Sequence, residues 1–290
     1  MKQNREHSHL SAIDRQSKAF FSGGKFNWEK SKLDVWNELN EAISEQPEKR
    51  SSFIRFTPGV LAVAASLIIL IGLGSFFRFY STQIISPAGQ HLVAELPDGS
   101  TVKLNAESTL KYHPYWWRFN RKVTFEGEGL FKVEKGKKFT VISANGTTEV
   151  LGTSFNIFSR DQVYKVTCLT GSVKVTSKTK EQVILKPNSK AEIQPNGKIK
   201  VIQDIDTFPE ISWEKNIFLF TATPIMEVFY EIERQYGVTI STKIDTYALY
   251  SGNFTRSHNV EEVLSYVCPA LGLKFNKKSK KEYLITQESE

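Results

Sequence analysis

The sequence predicts a membrane protein in four parts: a short α-helical tail, one transmembrane helix, an all-β domain and a small α+β domain. Three observations predict this order. A single uncharged apolar run interrupts the chain, closely spaced short strands follow it, and a strand-helix-strand pattern occurs twice near the C-terminus. The predicted bounds are 1–56 for the tail, 57–78 for the transmembrane helix, 89–202 for the all-β domain, 203–216 for a linker and 217–290 for the α+β domain.

The apolar run predicts the transmembrane helix. It holds 22 uncharged residues between Arg55 and Arg78. As a helix it spans about 33 Å, enough to cross a hydrocarbon core of about 30 Å. The alternatives are a buried helix of a soluble protein and a cleaved signal peptide. Buried helices rarely stay uncharged for so long, and a signal peptide does not follow about 55 mostly polar residues.

Basic residues at the two ends of this run predict its orientation. Lys49, Arg50 and Arg55 flank the N-terminal end, whereas Arg78 alone flanks the other end. The positive-inside rule therefore places the tail in the cytoplasm and the long C-terminal part on the far side of the membrane.

The tail contains a predicted amphipathic helix. Ser31 and Asp34 have the spacing of a capping box at its start. The helix carries an apolar stripe with two apolar neighbours beside it, and these residues are Leu33, Trp36, Leu39 and Ile43, with Trp28 and Val35 alongside. A short helical tail buries too little surface to be stable alone, so we expect the stripe to bind a protein partner. Packing within the tail or on the membrane surface is the alternative.

Residues 89–202 have the pattern of an all-β domain. Short alternating segments recur about every eight to twelve residues, separated by turn sequences such as Pro97-Asp98-Gly99-Ser100. Arg121–Phe125 and Gly129–Val133 are two of these predicted strands. Such spacing predicts a sandwich or a solenoid-like stack of short strands, because a parallel sheet would need crossover helices.

Residues 217–286 repeat the order strand, helix, strand. Phe220 and Phe254 lie in the first strands of the two copies, and Gly237 and Gly272 follow the two helices. This duplication predicts a compact α+β domain with its helices on one face of a sheet. We expect the linker 203–216 to act as a hinge between the two domains.

Charge and motifs argue against nucleic-acid binding and catalysis. The net charge of +7 is spread thinly: residues 81–290 hold 27 Lys and Arg against 23 Asp and Glu. The lysine-rich run 277–281 is dense, and we interpret it as a solvated hairpin turn. The five histidines lack metal-ligand spacing, and no GxGxxG, P-loop or GxSxG motif occurs. We therefore expect no enzyme, no cofactor, no metal site and no direct nucleic-acid partner.

The two cysteines are predicted to be buried thiols. Cys168 alternates in phase with apolar strand residues, and Cys268 lies on an apolar helix face. Because they belong to separate predicted domains, a disulfide between them is not expected.

An aromatic cluster, Tyr112-His-Pro-Tyr-Trp-Trp117, offers a second interpretation of function. Exposed, it would suit a membrane-anchored periplasmic glycan- or peptide-binding module. We favour a solvated strand edge above the core, because aromatic residues combine a large apolar body with a polar edge.

Several segments in order carry a family resemblance. They are Arg121–Val133, Phe139–Val141, Val150–Asn156, Gly171–Val175 and Leu185–Pro187. This series, which includes Val-Leu-Gly-Thr-Ser-Phe-Asn, resembles the FecR family, transmembrane anti-sigma factors of Gram-negative bacteria. The tail and the C-terminal duplication fit as well. Two departures are Gly129, where the family usually has a small residue such as Ala, and Asn188, where Pro-Gly is common.

The resemblance implies a relay across the cell envelope. The chain would lie in the inner membrane, and a TonB-dependent outer-membrane transporter would contact its periplasmic part, at a surface within 217–290. The tail would hold an extracytoplasmic-function sigma factor through Trp28, Leu33, Val35, Trp36, Leu39 and Ile43. The C-terminal duplication resembles small signalling domains found near secretins and TonB-dependent receptors. Processing proteases, finally one within the membrane, often cut family members.

Overall fold

A computed structural model describes residues 29–44, 57–244 and 247–287. The chain divides into two compact units, Met1–Val63 and Ala64–Glu290. Helix α1 spans Lys32–Ser44, and helix α2 spans Pro58–Phe79. Pro58 suits the first turn of α2, since the amide hydrogen that proline lacks would be unpaired there. Helix α2 is long and apolar enough to cross a membrane, and its bounds lie within one residue of the predicted segment.

Thirteen strands occupy residues 82–202 of the described chain, which we call the β region. They are β1 Thr82–Ser86, β2 Leu92–Glu95, β3 Thr101–Leu104, β4 Ser108–Tyr112, β5 Arg121–Lys132, β6 Phe139–Ile142, β7 Gly146–Val150, β8 Ser154–Arg160, β9 Val163–Thr170, β10 Val173–Ser177, β11 Gln182–Leu185, β12 Ser189–Ile193 and β13 Ile199–Ile202. The sequence predicts neither β1 nor β4. Both belong to the same sheet as the rest, so the strands begin before residue 89.

The strands form two layers that share β5. One layer runs β1-β4-β5-β6-β7-β10-β11, and the other runs β2-β3-β5-β8-β9-β12-β13. Within the β region all described pairings are antiparallel except that of β5 with β6. A β-solenoid is built from stacked parallel rungs, so the β region does not have the solenoid-like architecture that was one of the two predictions.

Strand β5 corrects the prediction of two separate strands. Its first half pairs with β4 and β6, and its second half pairs with β3 and β8. The change occurs at Gly127, whose φ is +107°. A Cβ atom there would collide with Ser108. Glycine bends the strand without ending it, because it adopts positive φ at no steric cost.

A single apolar core lies between these layers. It includes three phenylalanine rings, with the Phe125 and Phe131 centroids 5.1 Å apart edge to face and the Phe131 and Phe155 centroids 5.1 Å apart stacked. All three side chains are almost completely buried. Each contributes roughly 1.5–3 kcal/mol through burial, so both layers are held by one core.

The segment 203–216 is ordered and packed, which corrects the prediction of a hinge. It contains helix α3, Phe208–Ile211, and a 3₁₀ turn, Ser212–Lys215. Trp213 is 8% exposed, and its ring meets the His91 ring edge to face with centroids 5.4 Å apart. The Lys190 ammonium lies 2.6 Å from the Glu210 carboxylate. These contacts fix the segment to the β region.

The C-terminal region, residues 217–287, has the predicted element order followed by one more strand. It comprises β14 Ile217–Pro224, α4 Ile225–Tyr236, β15 Thr239–Lys243, β16 Leu249–Thr255, α5 Val260–Val267, a 3₁₀ turn Pro269–Leu271, β17 Leu273–Lys277 and β18 Glu282–Gln287. Gly237 and Gly272 end their helical segments with φ of +62° and +63°, the left-handed cap that glycine favours.

These strands form two small sheets, whereas the sequence predicts one. Strand β14 pairs with β16, and β18 lies between β15 and β17. The first strands of the two copies therefore pair with each other, and β18 separates the second strands. Both helices bury their apolar faces in one core, which includes Val228, Ile232, Val263 and Leu264. The lysine-rich run is a hairpin turn between β17 and β18, as predicted.

Candidate functional site

Helix α1 carries an apolar stripe that is open to solvent. A rotation of about 100° per residue places Leu33, Trp36, Leu39 and Ile43 within an arc of about 120°, with Val35 at its margin. Leu33 is 71% exposed and Trp36 is 65% exposed. No residue of α1 is buried. The sixth predicted binding residue, Trp28, lies outside the described residues. Binding by these six side chains stays a prediction.

The start of α1 has the predicted capping box. The Ser31 backbone amide donates to Asp34 Oδ2 at 3.1 Å, and the Asp34 amide donates to Ser31 Oγ at 3.2 Å. These bonds satisfy two amides that the first turn would otherwise leave unpaired. The helix start is therefore specified locally, although thirteen residues are marginal for an isolated helix.

A buried polar cluster joins the C-terminal region to the β region. Gln235, near the end of α4, is 3% exposed. Its Nε2 donates to Asn105 Oδ1 at 2.7 Å and to Glu231 Oε1 at 2.9 Å, and its Oε1 lies 3.0 Å from His91 Nε2. The amide thus links α4 to two residues of the β region. Because buried polar groups are costly when unpaired, these bonds specify one docked arrangement.

Glu128 of β5 lies at the centre of the same cluster. Asn105 Nδ2 donates to its Oε2 at 2.8 Å, and Asn156 Nδ2 donates to its Oε1 at 3.1 Å. Burial, and then the nearby Glu231 carboxylate, raise the pKa of Glu128 to about 7, against the lowering effect of the two asparagine bonds. Burial also lowers the pKa of His91. Glu128 therefore changes charge near pH 7 at the contact between the two regions, and His91 is held toward its neutral form there.

Backbone contacts around Gly89 reinforce this docking. The Gly89 amide donates to the Arg234 carbonyl at 2.8 Å. The Arg256 guanidinium donates to the Gly89 carbonyl at 2.8 Å and to the Gln235 carbonyl. A cleft of about 370 Å³ opens beside the cluster, lined in part by Glu128, Trp213, Glu231, Gln235 and Arg256. The C-terminal region therefore holds the segment between β1 and β2 directly.

The aromatic cluster 112–117 is divided between core and surface. Tyr112 and Trp117 are buried, with ring centroids 5.7 Å apart, so they pack inside the β region. Tyr115 is exposed, and Trp116 lies under the Arg78 guanidinium, 4.8 Å from its ring centroid. Strand β4 ends at Tyr112, so the cluster is a turn and not the predicted strand edge. The aromatic rings of the cluster therefore do not form one open face on which a glycan or a peptide could bind.

Two family models match the parts of the chain just described. The model described as FecR protein matches residues 82–174, and the model described as FecR, C-terminal, matches residues 217–285. Together they cover more than half of the chain. The chain belongs to the FecR family. The first FecR match begins at β1, and the second covers β14 to β18 up to Ile285.

Solved structures support the same relationship. Two crystal structures, at 1.65 and 2.50 Å resolution, of a protein described as a "putative anti-sigma factor" from Parabacteroides distasonis match this FecR chain with a TM-score of 0.65 and 27% sequence identity. Each match covers 72% of this chain and 100% of that chain. No curated protein matches it.

The polar cluster of this FecR protein has no signature in the sequence. Apart from the bond of Gln235 to Glu231 within α4, its bonds join residues 23 to 144 positions apart, as in Asn105 with Glu128 and His91 with Gln235. The one available signal was Gln235 itself, a polar residue three positions after Ile232 on the apolar face of α4. The cysteines, by contrast, follow the prediction: Cys168 and Cys268 are free and buried.

Proposed function

We propose that this FecR protein is a single-pass inner-membrane regulator of a sigma factor. Its tail binds an extracytoplasmic-function sigma factor in the cytoplasm, and its C-terminal region receives a signal from a TonB-dependent outer-membrane transporter. The observation that carries the proposal is the pairing of two FecR matches after α2 with an exposed amphipathic helix before α2.

The chemistry of α1 supports a protein partner for the tail. Leu33, Trp36, Leu39 and Ile43 are all more than half exposed, and an amphipathic helix of this kind binds by laying its apolar face in a groove. The polar side of α1 carries an ion pair in which Lys30 Nζ lies 2.5 Å from Glu38 Oε1. A sigma factor would order the helix and cover its stripe in one step.

The charge distribution supports the orientation. Three basic residues precede α2 closely, and Arg78 alone lies at its far end. This asymmetry favours a cytoplasmic tail, in the compartment where sigma factors act. The β region and the C-terminal region then lie in the periplasm.

The two small sheets support the C-terminal region as the receiver. Among the described residues, β14 and β16 pair only with each other, and β15 and β17 each pair only with β18. Each of these four strands therefore has one edge that no other described strand pairs with. A strand from the transporter could pair with such an edge. The duplicated unit also resembles small signalling domains found near secretins and TonB-dependent receptors.

Signal transfer would follow from a change at the periplasmic side. Contact with the transporter would alter the C-terminal region or the β region, and processing proteases would then cut the chain, finally within the membrane. The released tail would carry the sigma factor with it.

Binding of the tail to the cognate sigma factor is the decisive experiment. The full chain, solubilised in mild detergent, is used to capture the sigma factor, and the Trp36→Ala variant is compared with Glu41→Ala on the opposite side of α1. Truncation of a central tryptophan commonly costs about 2 kcal/mol or more, so Trp36→Ala should bind about 30-fold more weakly.

Each result has a defined meaning. Capture by the wild type and by Glu41→Ala, with loss in Trp36→Ala, supports the proposal. Equal capture by all three proteins would mean that the stripe does not bind the sigma factor. If the wild type fails to capture its cognate sigma factor, the proposed function is wrong.

A further inference from the structure

A compact turn follows β4 at the end of α2. It spans residues 113–119, and we call it the juxtamembrane loop. The Trp116 amide donates to the His113 carbonyl at 3.2 Å, and the Phe119 amide donates to the Trp116 carbonyl at 3.0 Å. The chain therefore folds back on itself within a few residues, which fixes the direction of the side chains it carries.

One tryptophan anchors this loop from behind. Trp117 is 4% exposed, and its ring lies edge to face against Tyr112 and Phe139, with centroids 5.7 Å away in each case. The loop is therefore part of the β region and moves with it. The rings of Tyr115 and Phe119, in the same loop, are exposed and do not enter the core.

The outward side of the loop packs against the last turn of α2. The Tyr115 ring centroid lies 5.1 Å from that of Phe77 and 5.3 Å from that of Tyr80. His113 Nδ1 lies 2.9 Å from the Tyr80 carbonyl oxygen. These contacts place the loop at the level where α2 ends.

Much of this aromatic surface stays open. Phe79 is 72% exposed, Phe119 is 70% exposed and Tyr115 is 54% exposed. Phe119 also packs against Trp116, with ring centroids 4.7 Å apart. Several exposed aromatic rings around one short loop indicate an interaction surface.

We propose that the juxtamembrane loop, together with Phe76–Tyr80, docks on the lipid interface of the membrane that α2 crosses. The β region is then held against the bilayer surface by a second attachment besides the helix. The inference rests on the proposed membrane crossing of α2.

Continuity with α2 identifies lipid as the occupant. A helix of 22 residues, apolar except for two serines and Arg78 in its last turn, ends at Phe79. It is as long as a hydrocarbon core is thick, so rings in contact with its last turn lie at the headgroup level. Tryptophan and tyrosine favour this level, because it accepts both an apolar ring and a polar edge. The apolar rings of Phe79 and Phe119 would enter the lipid beside them.

The charges beside the rings fit the same occupant. Arg78 places its guanidinium over the Trp116 ring at 4.8 Å and over the Phe79 ring at 5.5 Å. Arg118 in the loop is exposed. Cations at this depth attract anionic headgroups and keep their own charge hydrated. A second protein would instead need complementary acidic groups at this place.

Depth-dependent quenching in vesicles tests this docking. The full chain with Phe119→Cys is labelled with an environment-sensitive fluorophore and reconstituted into phosphatidylethanolamine and phosphatidylglycerol vesicles, with or without lipids bearing a nitroxide near the headgroup. The nitroxide should quench the label at least about twofold, as for a group in the interfacial belt. The two native cysteines are buried, which confines labelling to the new site.

Ile184→Cys is the matched control. Ile184 is 71% exposed, as Phe119 is, but it lies on β11 at the opposite end of the layer that contains β1 and β4. Its label should be quenched little. Equal quenching at the two positions would overturn the docking, as would energy transfer between labels on two copies without lipid quenching.

Alkaline extraction distinguishes failure of the lipid docking from failure of the membrane crossing by α2. If the chain resists extraction but the label at position 119 is not quenched, the membrane crossing of α2 stands and the docking is wrong. If alkali extracts the chain from the vesicles, the membrane crossing and the docking are both wrong. Adding Trp116→Ala to the labelled chain should reduce the quenching, because the loop then presents fewer rings to the lipid.

Discussion

Gln235 Nε2 donates to Asn105 Oδ1 at 2.7 Å, across 130 residues of sequence. Both side chains are buried. The same glutamine approaches His91 through its Oε1. One amide of the C-terminal region therefore binds two residues of the β region.

Replacing this amide should loosen that contact. Gln235→Ala removes one hydrogen-bond partner from Asn105 and one from the half-buried His91, and a buried polar group left unsatisfied costs about 1–3 kcal/mol. We expect a loss of unfolding free energy in that range. Urea denaturation of the detergent-solubilised chain, followed by tryptophan fluorescence, measures it, and hydrogen exchange should speed up in α4.

Glu227→Ala is the control, since Glu227 is exposed on the same helix. It should change the unfolding free energy by less than about 0.5 kcal/mol. Equal effects of the two substitutions would mean that helix propensity, and not the buried amide, accounts for the result.

The stability of the cluster should depend on pH through Glu128. The folded pKa, about 7, lies above the ordinary value of 4.5, so the folded state binds the proton more tightly. Its stabilising contribution is complete below pH 4.5 and is lost as the pH rises through 7. The loss is on the order of 3 kcal/mol. Glu128→Gln should remove this slope when thermal unfolding is measured from pH 5 to pH 8.

Glu126→Gln serves as the matched comparison, because Glu126 is exposed on the same strand. It should keep the slope of the wild type. The lowered pKa of His91 has the opposite effect on stability. It reduces the unfolding free energy as the pH falls below about 6.5. This loss at low pH should persist in both variants. A wild-type profile that rises steadily with pH would contradict the assignment to Glu128.

Local patterns in the sequence were sufficient for α1, α2, α4 and α5 and for most strands, but not for the short helix α3. The apolar run predicts α2, the Ser31 and Asp34 pair predicts the start of α1, and Gly237 predicts the end of α4. Such features depend on neighbours within one or two turns.

The sequence was not sufficient where distant segments decide the structure. Glycine at position 127 resembles a break between strands, but tertiary pairing on both sides carries β5 through it. Strand β18 lies between β15 and β17, which no local pattern specifies. The cluster around Glu128 requires residues up to 144 positions apart, so its pKa could not be foreseen either.

Reporter fusions should reveal the orientation of α2. A reporter active only in the periplasm should be active after residue 95 or 290 and silent after residue 45, because three basic residues precede α2 and one lies in its last turn. A reporter active only in the cytoplasm should give the complementary pattern. The reverse result would place the tail where it cannot reach a sigma factor.

Removal of residues 217–290 should abolish the response to inducer. The truncated chain should still insert and still bind the sigma factor, since α1 and α2 are unchanged. A sigma-dependent reporter, measured with and without inducer, gives the ratio to compare with wild type. Immunoblotting of membranes and capture of the sigma factor verify that the truncated chain is present. An unchanged ratio would move the receiver to the β region.

The hydrogen bonds between the C-terminal region and Gly89 have a mechanical consequence. Gly89 lies ten residues beyond the end of α2, and Arg234 and Arg256 hold it from the far end of the chain. Tension applied to the C-terminal region would therefore have a direct route to the membrane helix through β1, beside the route that Asn105 and His91 offer through the β region. On the direct route the load would fall on the five-residue pairing of β1 with β4, and separation of β1 would expose the stretch next to α2 while the core around Phe131 stayed folded.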